Sequence, residues 1–95
     1  MKMEFEWDDQ KEADNVRKHD VQFSLAIRVF FDVARKTEED SRFVYDETRF
    51  VTIGQVYGRF YTVVHTERGI VTRIISARRA TAQEKRSYGN SSRNH

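Results

Sequence analysis

The 95-residue sequence predicts a single α+β domain. Three observations carry that expectation. A short alternating run of apolar and charged residues opens the chain, two helical patterns follow it, and three β-rich runs separated by glycines precede a last helical stretch. The order β-α-α-β-β-β-α, with turns short enough for hairpins, argues for an antiparallel meander with helices packed on one sheet face.

Met3-Glu-Phe-Glu-Trp7 has the alternation of a strand with one buried face, and Phe5 and Trp7 are its anchors. Asp8 or Asp9 is placed to cap a helix through Gln10 to Lys18. Acidic residues fill its first turn and Arg17, Lys18 and His19 its last, as the helix dipole favours. Asp20 stands where a left-handed glycine would be natural, a conformation that aspartate tolerates. Phe23, Ala26, Ile27, Phe30 and Phe31 recur at helical spacing and define a second helix with a continuous apolar stripe, expected in the core. Asp32 to Phe43 is polar and reads as a loop, apart from a short edge strand at Val33 to Lys36.

The three β-rich runs are Phe50 to Tyr57, Phe60 to Thr66 and Ile70 to Ala77, with Gly58 and Gly69 at the turns. After Arg78 and Arg79 the composition becomes helical, and Thr81 with Glu84 three residues on forms a capping box. The expected domain spans residues 1–88, and Gly89 to His95 reads as a disordered polar tail.

The chain has no cysteine, no signal-peptide pattern and no apolar run long enough to cross a bilayer, so a cytoplasmic protein without thiol chemistry or membrane contact is expected. Net charge is only +2, but the signs segregate. Acidic residues cluster at Glu4, Glu6, Asp8, Asp9, Glu12 and Asp14, and again at Glu38, Glu39 and Asp40. From Arg49 onward arginine and lysine dominate. A basic half suits a polyanion, and Arg49, Arg59, Arg79, Lys85 and Arg86 are its candidate phosphate contacts; an ordinary solvated surface is the alternative.

The sequence offers no Cys/His ligand cluster, Gly-rich phosphate loop or nucleophile elbow, so no metal or cofactor is expected. What it offers is arginine, lysine, histidine and tyrosine. These are the groups a metal-free ribonuclease needs to move protons at the ribose 2′-hydroxyl and the leaving 5′ oxygen and to neutralise the phosphate. His19 is the best single proton-transfer candidate, because histidine titrates near neutrality; its other reading is a residue that complements the helix dipole. His65 reads as a strand residue of structural or surface type, and His95 as part of the tail. Arg73 interrupts an apolar run, so it is paired with a carboxylate, aimed into a site or on the solvent face. Only one of the consecutive Arg78 and Arg79 is expected to reach a ligand. Tyr88 is a stacking or proton-donating candidate, or a packing residue of the last helix.

Phe5-x-Trp-Asp8, Lys11, Asn15, Lys18-His19-x-Val21, Phe23-x-x-Ala26 and Val29-Phe30-x-Asp32 resemble the front half of BrnT-type toxins. Arg49-Phe50, Gly54, Gly58-Arg59, Val63-Val64, Arg73-Ile-Ile-Ser-Ala-Arg78-x-Ala80, Glu84 and Tyr88 resemble the back half. The resemblance implies a RelE-like fold and a ribonuclease toxin of a type II toxin-antitoxin system that blocks translation. It also implies a BrnA-type ribbon-helix-helix antitoxin as partner, which binds the toxin and carries the complex to operator DNA. It raises Arg78 and Tyr88 as active-site residues and places Lys18 and His19 nearby. Asp20 departs from the glycine usual after that histidine. The catalytic set expected on these grounds is Lys18, His19, Arg73, Arg78 and Tyr88; the contrasting expectation is a basic module that binds nucleic acid or protein without cutting.

Overall fold

The computed structural model describes residues 3–41 and 47–93. The opening run forms β1 (Glu4–Glu6), followed by α1 (Asp9–His19), a short α2 (Phe23–Ala26) and a 3₁₀ turn (Ile27–Phe31). Then come β2 (Lys36–Asp40), β3 (Arg49–Val56), β4 (Arg59–Arg68), β5 (Val71–Arg79) and α3 (Ala82–Arg93). The five strands make one mixed sheet in the order β1-β5-β4-β3-β2. Strands β2 to β5 pair antiparallel, whereas β1 joins β5 in parallel. The domain is therefore α+β with a meander at its centre, as the turn signals imply.

The local punctuation works as the sequence suggests. The Asp8 side chain accepts the Gln10 and Lys11 amides, and Asp20 closes α1 in the left-handed conformation at φ 56°. Tyr57 and Gly58 both have positive φ, the backbone that lets a two-residue turn follow the twist of its strands. At α3 the Thr81 hydroxyl accepts the Glu84 amide while Glu84 accepts the Thr81 amide, so the capping box is closed from both sides.

Four expectations change. The second helix tightens to 3₁₀ after Ala26, and the shorter period aligns Phe23, Ala26 and Val29 in the core while turning Phe31 outward, 64% exposed. Gly54 permits that close seating, since a Cβ there would stand 2.7 Å from the Val29 Cβ and 2.9 Å from its carbonyl oxygen. The edge strand does not start at Val33, because the Asp32 carboxylate accepts the Ala34 amide and its carbonyl the Arg35 amide, folding that segment into a turn. It runs instead from Lys36 to Asp40, within the stretch read as loop; Arg42 and Phe43 of that loop lie outside the described residues. The last helix passes Tyr88 and continues to Arg93. Finally, the helices are not all on one face.

One face packs on the helices. Tyr61, Val63 and His65 of β4 point there, with Ile74 and Ala77 of β5, toward Val21, Phe23, Ala26, Val29 and Phe30. Phe5 joins Phe30 at 5.3 Å between ring centroids and Trp7 meets Phe23 at 6.0 Å, so both N-terminal anchors hold. Phe60, Thr62, Val64 and Thr66 alternate to the opposite face, where α3 crosses one end: Glu84 accepts the Thr62 hydroxyl, and Tyr88 packs on Phe60.

Candidate active site

The facing of the arginines on β5 depends on a bulge. Ser76 pairs with Val64 but Ile74 with His65, which leaves Ile75 as an extra residue. Plain alternation would put Arg73 and Arg78 on opposite sides. With the bulge they oppose Thr66 and Thr62, two β4 residues on the same face, so both lie on the side away from α1 and α2. Arg49, opposite Thr66 on β3, shares that side.

Two of these guanidiniums are held by carboxylates. Arg78 makes a bidentate pair with Glu84, at 2.7 and 2.9 Å, and Arg73 reaches Glu6 at 3.1 Å. The Arg78 hydrogen bonds hold the Glu84 carboxyl at about 2 against the opposing effect of burial, helped by the Thr81 amide and the Thr62 hydroxyl. Beside this pair lies a groove of about 560 Å³ whose walls include Glu38, Glu39, Asp40, Glu84 and Arg78. Its carboxylates are in part met there, Glu84 by Arg78 and Glu38 by the Lys36 ammonium at 3.1 Å. Tyr88 stands apart from the groove, donating its hydroxyl to Asp32 at 2.8 Å. Burial and that carboxylate push the Tyr88 phenol up to about 12. Burial would raise Asp32, but bonds from the Gln55 amide, Tyr88 and the Ala34 amide lower it overall.

A second grouping forms on the helix side. Asn15 is buried in α1; its amide donates to the Ala77 and Val21 carbonyls at 2.8 and 2.9 Å, and its oxygen accepts the Ala77 amide at 3.0 Å. Because β1 pairs with β5 only as far as Arg73, this side chain satisfies the strand edge that β1 leaves uncovered. Val21 is thereby pinned against Ala77, and the last turn of α1 comes with it. Lys18 and His19, three and four residues beyond Asn15, lie on the helix face that Asn15 turns to β5, and both are exposed at its rim. Two residues past Ala77, Arg79 points to the same side, with its guanidinium 5.8 Å from the Tyr61 ring centroid. Arg59 also shares that side, two residues before Tyr61 on β4. Lys85 and Arg86 are exposed on α3.

The expected catalytic set thus divides. Arg73, Arg78 and Tyr88 belong to the side crossed by α3, and Lys18 and His19 to the exposed end of α1 on the side that Arg79 shares. His65 belongs to neither. It is 1% exposed, between Phe30 and Phe50, with Nε2 2.8 Å from the Thr52 hydroxyl. Its Nδ1 lies 2.9 Å from a Glu67 oxygen but lacks the alignment of a hydrogen bond. Burial lowers its pKa more than the Glu67 carboxylate raises it, so it is a neutral core histidine. His95 lies outside the described residues. Among those residues, no group of three or more His, Asp or Glu side chains is gathered to hold a metal, and no helix is long and apolar enough to cross a membrane.

Residues 7–84 match the family model described as "Ribonuclease toxin, BrnT, of type II toxin-antitoxin system". The chain belongs to the BrnT toxin family. No curated protein matches it. Membership makes it a ribonuclease toxin and implies a cognate antitoxin, and it decides against a module that binds without cutting. For a BrnT-family chain the residue that sequence reading undervalued is Asn15, noticed only as part of the resemblance. No local signal marks it, because its burial shows only through its distant partners Val21 and Ala77.

Proposed function

We propose that this toxin cuts RNA without a metal, at the rim where the last turn of α1 meets the end of β5. What supports the reading is an exposed imidazole, His19, next to Lys18 on the α1 face turned to β5, with the exposed Arg79 and Arg59 on the same side of the sheet. The proton-transfer alternatives on the other side are poorly matched to neutral pH, with Glu84 held at about 2 and Tyr88 at about 12. Arg73 and Arg78 have their charge taken up by Glu6 and Glu84, which suits them to holding the sheet rather than to neutralising a phosphate.

In the proposed step the ribose 2′ oxygen bonds to the adjacent phosphorus and the bond from phosphorus to the 5′ oxygen breaks. His19 takes the 2′ proton, and Lys18 returns one to the departing 5′ oxygen. Arg79 and Arg59 offset the charge on the phosphoryl oxygens. The products are a 2′,3′-cyclic phosphate and a 5′-hydroxyl end. Incubation of the purified toxin with RNA in EDTA tests the reading: cyclic-phosphate ends are expected, and cleavage that needs added metal overturns it.

The cognate antitoxin in this reading is a BrnA-type ribbon-helix-helix protein, through which the toxin reaches operator DNA, and the pair works in the cytoplasm, where messenger RNA is translated. The resemblance of Lys18-His19-x-Val21 and Arg73 to Arg78 to BrnT toxins supports that partner. A gene neighbour encoding a ribbon-helix-helix protein that copurifies with the toxin is the expected finding, and a neighbour of another fold that neutralises it refutes the assignment.

A further inference from the structure

At the turn between β3 and β4 the chain does something costly for no packing return. Tyr57 occupies a left-handed conformation at φ 50°, which glycine or asparagine adopts more readily, and its side chain is 79% exposed. Phe31, turned outward by the 3₁₀ winding, is 64% exposed. Both rings line a cleft of about 340 Å³ together with Val56 and Gly58, and its polar groups come from Arg28, Asp32 and Gln55. The Arg28 guanidinium sits 5.5 Å from the Tyr57 ring centroid.

We infer that the cleft between Phe31 and Tyr57 is a stacking subsite for one unpaired nucleobase of the RNA. Exposed aromatic rings flanked by a guanidinium are the means by which proteins hold single-stranded bases, since every base has a π-face and the cation serves both ring and phosphate. The exposed Gln55 amide offers a donor and an acceptor to the edge of a base. The Asp32 carboxylate already receives three donors, from Ala34, Gln55 and Tyr88, and has capacity for about one more, such as an exocyclic amino group. Arg59 follows the turn directly, so a strand seated here runs on toward the basic rim. A protein segment would also cover two rings, but the Arg28 guanidinium against the Tyr57 ring and the Asp32 and Gln55 hydrogen-bonding groups beside it favour a base. The inference rests on the ribonuclease reading above and names a subsite for its substrate.

The test uses a single-stranded 2′-O-methyl RNA oligonucleotide, which cannot undergo 2′-hydroxyl attack, with 2-aminopurine at successive positions, titrated with the whole toxin. One position is expected to lose fluorescence on binding. Tyr57→Asn, which suits the left-handed turn and so keeps the fold, is expected to abolish that quench and weaken binding about 5- to 150-fold, while Tyr57→Phe keeps both. Binding and quenching by Tyr57→Asn equal to the native toxin overturn the subsite, and so does RNA binding without a quench at any position. Loss of antitoxin binding with RNA binding intact also overturns it and makes the surface a protein interface. If the native toxin binds no RNA, both readings fall. If only the subsite is wrong, the cleavage in EDTA described above survives.

Discussion

Arg78 and Arg79 are neighbours in sequence and opposites in circumstance. Arg78 lines a groove and is clamped by a carboxylate. Arg79 leaves the other side of β5, exposed over the Tyr61 ring on the side that carries α1. The comparison teaches that basic composition alone says little about where a polyanion binds. A guanidinium whose charge is already met contributes to the fold, and one left to solvent at a rim is available to a phosphate.

The largest expected effect falls on the rim. His19→Gln should lower RNA cleavage about 100- to 10,000-fold, the usual worth of a positioned proton-transfer group, with an unchanged midpoint of urea unfolding. Equal cleavage by this variant would move the chemistry back toward the groove. Next comes Asn15→Ala. It leaves the Ala77 amide and two carbonyls without partners in the core, and should cost about 3 kcal/mol by urea unfolding, with cleavage falling as the α1 turn loosens.

The two adjacent arginines then part company. Arg78→Ala should cost about 2 kcal/mol in stability and leave cleavage within a few-fold, because Glu84 loses its counter-charge. Arg79→Ala should do the reverse, weakening cleavage with no shift in unfolding. The smallest effect is on acid stability. Glu84 is held at about 2, below its ordinary 4.5, so the contribution of its charged form is complete above pH 4.5 and is lost as pH falls from there toward 2. Solvent screening limits this to about 1 kcal/mol. His65 acts in the same direction at milder acidity, since its neutral form is favoured in the fold and protonation below its ordinary 6.5 favours the unfolded chain. Native toxin should show both losses, and Glu84→Gln should lack the one below pH 4.5.

Much of the fold was legible because its signals are local. Asp8, Asp20, Gly58, Gly69 and the Thr81 and Glu84 pair each dictate a cap or turn within a few residues. What escaped is defined by partners far away in sequence. β2 is charged at most positions and has no buried face to impose an alternation, so only its ladder to β3 reveals it. The bulge at Ile75 exists only relative to β4, yet it decides which side Arg73 and Arg78 share. The candidate site shows the same limit. Residue types were readable as ribonuclease chemistry, but the carboxylates that neutralise Arg73 and Arg78 were not, since Glu6 comes from another strand and Glu84 doubles as a cap.

The outermost strand has one further consequence. In β2 the exposed Glu38 and Glu39 line a ladder edge that has no neighbour among the described strands. Bare edges invite copies of the same chain to stack, and repulsion between like charges is the simplest guard against that. On that ground, neutralising both glutamates should raise the toxin's tendency to precipitate, as light scattering would report.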